Sequence, residues 1–434
     1  MKIALFTPWP PQKSGIADYA YSLANGLLAH GLSVEVYTGA ATPAALPNCK
    51  VHSCNGTGPA PDLSDAFPVF QLGNNFTYHA FQPRLLARLG GLVHLHDPVL
   101  HHLHVDRTLA AGGVGGYWED LRFWYGPDVA ADCQRLRTLG APPWTNAAVT
   151  AVPLFEPYLQ FADAVLVHSQ GAARRIGERM PDLPIYRLPQ CYPISPSIRP
   201  RVIGDRPLKL GVFGWIEPYK RLDRVLAAMA TLRDRGQEME LELCGPTGAT
   251  MTALAADIAA LGLGGSVHVR GHLERSAFLA AIAAVDVCIN LRDPSMGETS
   301  AVVTQAMQLG TPVIVTDTGW YAELPECVLK VPSGESASAA LVALLARLDA
   351  NRDEIGALAE ATRSYASSHL DFETMIGDYA GILGRLAATW AQRRKVQRSL
   401  YLGVASALAD LALTGSTIEQ AMQAEILRML TPCL

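Results

Sequence analysis

The sequence predicts an α/β protein built from two Rossmann-like domains, each a doubly wound parallel sheet. The chain has 434 residues, which exceeds the size at which a single hydrophobic core usually keeps growing. Short apolar runs alternate with stretches of helical periodicity, as expected where helices cross over a parallel sheet. This alternation starts at the N-terminus and starts again after the segment Ile194–Pro207. Two domains of ordinary size follow from these observations.

The first half opens with a strand, a loop and a helix. Lys2–Thr7 is strand-like, and the loop PWPPQKSG leads to apolar residues at helical spacing from Ile16 to Leu27. We place the first domain at residues 1–195, and the proline-rich, non-periodic segment Ile194–Pro207 is the predicted linker. The other predicted strands of this half are Val69–Leu72, Leu92–Leu95 and Ala164–Val167.

The second half repeats the pattern, and we place its domain at residues 206–371. Helices are predicted over Leu222–Leu232, Ser336–Leu348 and Asp353–Ser367, followed by a helical tail from about Phe372 to the end. The predicted strands are Leu208–Phe213, Met239–Leu243, Val267–Val269, Val287–Leu291 and Val313–Thr316.

Composition excludes several classes of protein. The apolar fraction is 49%, the charged fraction 17% and the formal net charge −5, so a globular fold is predicted and nucleic acid is not an expected partner. The eight cysteines contain no CxxC pair, which favours a reducing compartment. The N-terminus MKIALFTPWPP does not have the features of a signal peptide, and no apolar stretch is long enough to span a bilayer. We therefore predict a cytoplasmic protein.

Two motifs invite other interpretations. AGGVGGYW, at Ala111–Trp118, has neither the preceding strand nor the glycine spacing of a dinucleotide loop. The run HLHDPVLHHLH, from His94 to His104, could offer a metal several imidazoles, but no carboxylate or cysteine cluster supplies an obvious completing ligand. We therefore predict no metal site. No P-loop and no GxSxG elbow is present.

The block FGWIEPYKRLDRVLAAMA, Phe213–Ala230, predicts an anion site. A strand ends at Gly214, and Lys220 and Arg221 lie in the loop directly before a helix. Two cations then lie at a helix N-terminus at the carboxyl edge of a sheet, where a diphosphate would bind favourably. The alternative is a solvated basic turn.

The block LRDPSMGETSAVVTQAMQLGTPVIVTDTGWYAELP, Leu291–Pro325, adds polar groups at the same edge. Thr299, Ser300 and Ala301 offer backbone N–H groups at a helix start. Arg292 and Glu298 place charges at a strand-to-helix junction, where a simple core would contain neither. Together the two blocks predict a site for an anion and hydroxyl groups.

In their order and spacing, the motifs of the whole chain up to about residue 390 resemble glycosyltransferase family four, the retaining enzymes of GT-B fold. The matching motifs are PPQKSGIADY, VHLHDP, VLVHS, the G-x5-K loop, CGP, VRGHL, GETSAVVTQAM and GTPVIVTDTGWYAELP. The resemblance implies two domains facing a central cleft and a C-terminal helix, within 372–434, that crosses back to the first domain. It also implies a UDP- or GDP-linked sugar as donor substrate, with no cofactor and no obligatory metal.

The resemblance assigns roles to residues of both domains. Gly15 would let the donor phosphate and the acceptor approach, and His96, beside Asp97, would contact the donor sugar near the reacting carbon. Lys220 would neutralise the diphosphate leaving group. His96, Asp97, Lys220 and Glu298 form the predicted catalytic set. The predicted donor-binding set comprises Gly15, Gly214, Trp215, Lys220, Arg221, Gly271, Arg292, Gly297, Glu298, Thr299, Ser300, Ala301 and Gln305.

Two departures from the family pattern concern the donor site. Where many members have Gly-Arg, this chain has Gly214-Trp215, and either Arg221 or Arg292 is expected to replace the missing cation. In the Glu-x7-Glu pair, the second position is Gln305 and the first is Gly297, with the glutamate one residue later at Glu298. An amide can still bond ribose hydroxyls, because it both donates and accepts.

Acceptor recognition is predicted for the first domain, where Tyr117, Trp118, Arg122 and Trp124 lie in an aromatic-rich stretch. The alternative for each aromatic residue is ordinary helix core. The tail segment Thr389–Leu413 is basic and then apolar, and it either docks on the first domain or makes a peripheral contact with the inner face of a membrane.

The leading functional prediction is retaining transfer of a hexosyl unit to an acceptor hydroxyl of a glycan or a lipid-linked saccharide, in glycan or glycolipid biosynthesis. One alternative is a sugar-nucleotide epimerase of GT-B fold. The other, suggested by Trp215 and Gln305, is a degenerate subunit that binds a nucleotide sugar without catalysis.

Overall fold

A computed structural model describes residues 1–56, 61, 63, 65–110, 113–198, 207–246 and 251–410. Two compact units make up the chain. The first comprises Met1–His168, Ala172–Leu188 and the residues from Ile376 onward, and the second comprises Ser169–Gly171 and Pro189–Met375. Part of the predicted linker (199–206), the glycine loop at 111–112 and the tail after residue 410 lie outside the described residues.

The first unit is built on a parallel sheet of seven strands among the residues described, in the order β3-β2-β1-β4-β5-β6-β7. All seven residues of the central strand β4 are buried, whereas the edge strands β3 and β7 are largely accessible. This is the pattern of a sheet covered on both faces. The strands are β1 (Lys2–Phe6), β2 (Ser33–Thr38), β3 (Lys50–Ser53), β4 (Ala66–Leu72), β5 (Leu92–Leu95), β6 (Ala164–Val167) and β7 (Ile185–Arg187).

Helices cover this sheet, and the first shows why the chain becomes helical after the loop PWPPQKSG. Ser14 has extended backbone dihedrals and its hydroxyl accepts a hydrogen bond from Ile16 N, which caps the helix start. The helices are α1 (Gly15–Ala29), α2 (Phe76–His79), α3 (Gln82–Leu89), α4 (His101–Ala110), α5 (Gly115–Tyr125), α6 (Pro127–Thr138), α7 (Glu156–Leu159) and α8 (Gln170–Arg179). Short 3-10 turns lie at Pro143–Thr145 and Ala147–Thr150.

The second unit contains a parallel sheet of six described strands in the order β10-β9-β8-β11-β12-β13. Its strands are β8 (Leu208–Phe213), β9 (Met239–Cys244), β10 (Val267–Gly271), β11 (Val287–Asn290), β12 (Val313–Thr316) and β13 (Leu329–Val331). Its helices are α9 (Leu222–Arg233), α10 (Met251–Ala260), α11 (Arg275–Ala283), α12 (Ala301–Leu309), α13 (Gly319–Ala322), α14 (Ala337–Ala350) and α15 (Arg352–His369).

The long helix α16 (Phe372–Asp410) starts in the second unit and continues in the first. Its residues Tyr379 and Trp390 are buried in the first unit, and the Trp390 indole N–H donates to Leu89 O at 3.3 Å. Among the described residues, no helix is long and apolar enough to cross a membrane.

Both sheets have a topological switch point. In the first unit β1 lies between β2 and β4, and in the second unit β8 lies between β9 and β11. Loops that leave such neighbouring strands in opposite directions open a crevice at the carboxyl edge, where open α/β sheets bind ligands. The predicted α/β fold of two doubly wound sheets is confirmed, and the polar motifs singled out in the sequence follow β1, β5, β8 and β11.

Candidate functional site

The loop after β8 is fixed by backbone hydrogen bonds to the loop after β9. Gly214 N donates to Cys244 O at 2.8 Å, and Ile216 N donates to Pro246 O at 2.9 Å. Gly214 has φ +80, and a Cβ there would lie 3.1 Å from the Lys220 ammonium nitrogen. A glycine is therefore needed both for the left-handed backbone and for the approach of the lysine. Between these anchors the Trp215 side chain remains 45% exposed.

Lys220 ends a 3-10 turn, Pro218–Lys220, and only 5% of its surface is exposed. Its ammonium group donates to Phe213 O at the end of β8. Burial, together with the neighbouring Arg292 guanidinium, lowers the pKa of Lys220 well below its usual value. The alternative that we gave for this block, a solvated basic turn, is therefore wrong for Lys220, because the turn directs its side chain back towards the end of β8.

Arg292, which follows β11 after one intervening residue, is the second buried cation. Its guanidinium Nε donates to Glu298 Oε1 at 3.0 Å, and the guanidinium lies 4.8 Å from the centre of the Tyr219 ring. Glu298 also accepts from Met296 N at 2.8 Å, so its carboxylate is shared between Arg292 and its own loop. Lys220 and Arg292 thus form a buried cation pair with Glu298 as its nearby carboxylate.

Arg221 has a different environment. It is a non-glycine residue with φ +51 at the N-cap of α9, and its guanidinium pairs with Asp223 at 2.7 Å and with Asp293 at 3.2 Å. Asp293 also pairs with Arg224 at 2.8 Å. Because two carboxylates neutralise Arg221, Arg292 is the better candidate for the second cation beside Lys220.

The start of α12 supplies helix N–H groups at the same edge. Ser300 is the N-cap, and its hydroxyl accepts from Val303 N, so the first turn begins at Ala301. Thr299 donates through its hydroxyl to Gln190 Oε1 at 3.1 Å, and Gln305 is buried on α12. Ser300 therefore has a capping role within the fold.

Two further glycines predicted for the donor site adopt left-handed backbone conformations. Gly297, in the loop before α12, has φ +86, and Gly271, at the end of β10, has φ +67. The carbonyl of Gly271 accepts from Gly245 N at 2.8 Å. Both glycines therefore shape loops at the carboxyl edge of the second sheet.

In the first unit, Gly15 is a glycine that the fold itself does not require. It is the first residue of α1, its φ is not positive, and a Cβ there would meet nothing within 4 Å. Open space beside a residue at the carboxyl edge fits a close approach by a ligand. Its predicted role stays a prediction.

His96 follows β5 and is 6% exposed. Its backbone N–H donates to Leu72 O at 2.9 Å, yet neither of its ring nitrogens has a hydrogen-bond partner within the described part of the chain. The Asp97 carboxylate accepts from Asn74 N at 2.8 Å and so holds the loop after β4. Asp97 therefore has a structural role, whether or not it also acts in catalysis.

His168, which our sequence analysis did not single out, completes a cluster with His94 and His96. One ring nitrogen of each lies within 4.8 Å of the others. The rings of His94 and His96, however, stack at an interplanar angle of 20°. The nitrogen lone pairs of the two stacked rings therefore lie in two separate, nearly parallel planes. One metal ion cannot lie in the plane of both rings. The sequence signal that we missed is the histidine at the end of β6, on the neighbouring strand.

The remaining histidines of the run that starts at His94 form hydrogen bonds within the helical layer. His101 Nδ1 lies 2.6 Å from Val152 O, His102 Nε2 lies 2.9 Å from Trp144 O, and His104 Nε2 lies 2.9 Å from Asp120. These contacts tie α4 to its neighbours, so these three rings have structural roles.

The predicted acceptor residues separate into two groups. Tyr117 is completely buried, its hydroxyl lies 2.9 Å from His101 Nε2, and Trp118 packs in the same helical core. For these two aromatics the alternative, helix core, is correct, because α5 turns this face towards α4 and α6. Arg122 is exposed and Trp124 is partly exposed, so a surface role for these two stays a prediction.

Comparison with known proteins agrees with this arrangement. Residues 207–351 match the family model described as glycosyl transferases group 1. The matched residues all lie within the second unit. The match covers β8 to α14, and so includes the loops that carry the cation pair.

Solved structures of GT-B glycosyltransferases share the fold of nearly the whole chain. Sucrose-phosphate synthase from Thermosynechococcus elongatus has a TM-score of 0.61 at 17% identity, over 90% of this chain and 100% of that chain. HepE from Anabaena, in complex with UDP, has a TM-score of 0.60 at 16% identity, over 89% and 100%. WaaG, a glycosyltransferase of lipopolysaccharide biosynthesis, has a TM-score of 0.57 at 15% identity, over 88% and 99%. No curated protein matches the sequence. The predicted GT-B fold is confirmed.

Proposed function

We propose that this chain transfers a hexosyl unit from a UDP- or GDP-sugar to a hydroxyl group of a glycan or lipid-linked saccharide. The transfer would retain the anomeric configuration and need no cofactor or metal. The observation that carries the proposal is the buried pair of Lys220 and Arg292 at the switch point of the second sheet. The match of residues 207–351, which include both cations, to the model of group 1 glycosyl transferases supports it.

The charge balance of the cation pair favours a diphosphate. Arg292 is buried beside Glu298, whereas the buried Lys220 ammonium donates to the backbone oxygen of Phe213, and a buried charge without an opposite charge beside it is costly. A diphosphate would supply the missing negative charge, and the first turn of α12 would add backbone donors. HepE, which shares the fold, is known in complexes with UDP and with UDP-glucose.

The same groups would act in the reaction. As the bond from the sugar to the diphosphate breaks, negative charge develops on the leaving phosphate, and Lys220 and Arg292 would stabilise it in a water-poor site. In this proposal Glu298 holds Arg292 in place and Gln305 bonds the ribose hydroxyls. His96 would contact the donor sugar, since both of its buried ring nitrogens lack a hydrogen-bond partner among the described residues.

Nucleotide release measured with and without acceptor tests the proposal. The protein is incubated with a panel of UDP- and GDP-sugars, with and without saccharide acceptors, before and after dialysis against a chelator. We expect free nucleoside diphosphate only when an acceptor is present, no effect of the chelator, and a product with the anomeric configuration of the donor. Sugar release or isomerisation without acceptor would instead indicate the epimerase. Binding without turnover across the panel would indicate the non-catalytic subunit.

A further inference from the structure

A chain of buried hydrogen bonds runs through the first unit behind His96. The Tyr379 hydroxyl lies 3.2 Å from His94 Nδ1, His94 Nε2 lies 3.0 Å from His168 Nε2, and His168 Nδ1 lies 2.9 Å from Leu188 O. All three side chains are buried. The chain links α16, the ends of β5 and β6, and the segment after β7.

The Leu188 carbonyl, at one end of this series of hydrogen bonds, fixes the donor and the acceptor of each bond. A backbone carbonyl can only accept, so His168 Nδ1 must carry a proton, and its Nε2 then offers a lone pair. His94 Nε2 must donate to that lone pair, which leaves His94 Nδ1 to accept from the Tyr379 hydroxyl. Each ring is neutral in this arrangement and has one tautomer. Burial, and for His94 also the neighbouring imidazoles, lowers the pKa of both rings.

His96 depends on this chain for its orientation. Its ring nitrogens have no partner among the described residues, so no hydrogen bond of its own sets the angle of the ring. The ring stacks on His94 with centroids 4.4 Å apart, and the edge of Tyr19 packs against it at 5.3 Å. His94, held at both nitrogens, is therefore the rigid surface that sets the plane of His96.

We propose that His94 is a positioning residue for His96, and that the hydrogen bonds from Tyr379 and to His168 hold it in that role. The proposal rests on the proposed function, in which His96 contacts the donor sugar. Small errors in the position of such a group lower turnover strongly, because the reacting atoms must be held in a near-attack geometry. The bound nucleotide, which His96 does not contact in this proposal, would be unaffected.

Two tyrosine variants separate positioning from stability. Tyr379→Phe removes the hydroxyl that contacts His94 Nδ1, and Tyr158→Phe removes a buried hydroxyl that lies 3.3 Å from His104 Nδ1 in the same unit. Both lose one comparable hydrogen bond, so we expect similar decreases in Tm. Only Tyr379→Phe should lower kcat, by about threefold to tenfold, with the affinity for free UDP or GDP unchanged. Equal kcat values in the two variants would overturn the proposal.

Substitutions of His94 itself test the stacking. His94→Phe keeps a flat ring beneath His96, whereas His94→Leu removes it, so the leucine variant should lose at least threefold more kcat than the phenylalanine variant. Nitrogen-15 spectra of histidine-labelled wild-type protein should show an Nε2-protonated His94 and an Nδ1-protonated His168. The opposite tautomers would refute the chain without any substitution. If the wild-type protein has no transferase activity, the proposed function fails and the positioning role fails with it.

Discussion

The two units bury polar groups at the carboxyl edges of their sheets, but they satisfy these groups in different ways. In the first unit, His94 and His168 share one hydrogen-bond chain that ends on backbone and tyrosine oxygen atoms. In the second, Lys220 and Arg292 lie close together with an excess of positive charge. The hydrogen bonds of His94 and His168 are satisfied within the protein, whereas the two cations lie beside only one carboxylate in a salt bridge, that of Glu298 with Arg292.

This difference separates structural groups from groups that contact a ligand. A buried polar group that has its hydrogen-bond partners stabilises the fold, and one without them lowers stability until a ligand arrives. By this criterion His94 and His168 are structural. The ring nitrogens of His96 have no hydrogen-bond partner among the described residues, and Lys220 and Arg292 are two buried cations beside a single paired carboxylate, so we expect a substrate to contact these three residues.

Replacing Lys220 should impair catalysis without impairing folding. Lys220→Met keeps an unbranched side chain only one atom shorter and removes the charge, and we expect kcat/KM to fall by about 30- to 1000-fold, which corresponds to about 2–4 kcal/mol. Folding lowers the pKa of this lysine, so its charged form destabilises the native state at pH values below the usual lysine range. The Tm of Lys220→Met should therefore equal or exceed that of the wild type.

The control for this experiment is Arg235→Met, which removes an exposed cation from the same unit. It should change neither the Tm nor kcat/KM appreciably. Turnover close to wild type in a folded Lys220→Met protein would contradict the assignment of Lys220 to the leaving phosphate.

His96 should affect transfer but not nucleotide binding. In His96→Ala we expect kcat to fall by about 10- to 100-fold, since a hydrogen-bonding contact to the reacting sugar is lost. Calorimetry with free UDP or GDP should give the wild-type Kd. His52→Ala, which removes an exposed histidine of β3, serves as control and should leave both quantities unchanged. Parallel losses of affinity and activity would instead give His96 a structural role.

The sequence predicted the buried central strands of both sheets well, because strands buried on both faces are continuous apolar runs, but it did not predict the edge strands β3, β7 and β13. Leu92–Leu95, Ala164–Val167, Leu208–Phe213 and Val313–Thr316 have the predicted bounds. It also placed Lys220 and Arg292 at the same edge, since both follow strands of one parallel sheet.

Side-chain partners were harder to predict, because they depend on where distant segments meet. The link between His94 and Tyr379 joins residues 285 positions apart, and no local pattern indicates it. The burial of Lys220 depends on how a 3-10 turn folds back on β8, and Tyr117 is buried because α5 turns that face towards its neighbours. Apolar periodicity predicts which elements form, but not which polar atoms meet between them.

Nucleotide binding should take up protons through Lys220. In the free protein, burial and the Arg292 guanidinium hold the pKa of Lys220 well below its usual value. A bound diphosphate adds negative charge, which raises the pKa of Lys220. At pH values between the pKa of the free protein and that of the complex, binding is therefore accompanied by uptake of less than about one proton. The affinity for UDP or GDP should accordingly fall as the pH rises through this range.

The proton uptake is measurable by calorimetry in buffers with different ionisation enthalpies. The observed binding enthalpy should depend on the buffer in the wild type and not in Lys220→Met. If the binding enthalpy of Lys220→Met still depends on the ionisation enthalpy of the buffer, a group other than Lys220 takes up the proton.

The smallest expected effect concerns Tyr117, which we predicted as an acceptor residue from the sequence and which the structure places in the core. Its hydroxyl donates to His101 Nε2, because His101 Nδ1 must donate to the Val152 carbonyl. Tyr117→Phe removes that buried hydrogen bond while keeping the ring, so the free energy of unfolding should fall by about 1 kcal/mol. Since the residue has no exposed surface, kcat and the KM for the acceptor should stay at their wild-type values. Denaturant unfolding measures the change in stability, and steady-state kinetics of the same preparation measure kcat and KM. A raised KM for the acceptor without a loss of stability would instead indicate that Tyr117 contacts the acceptor.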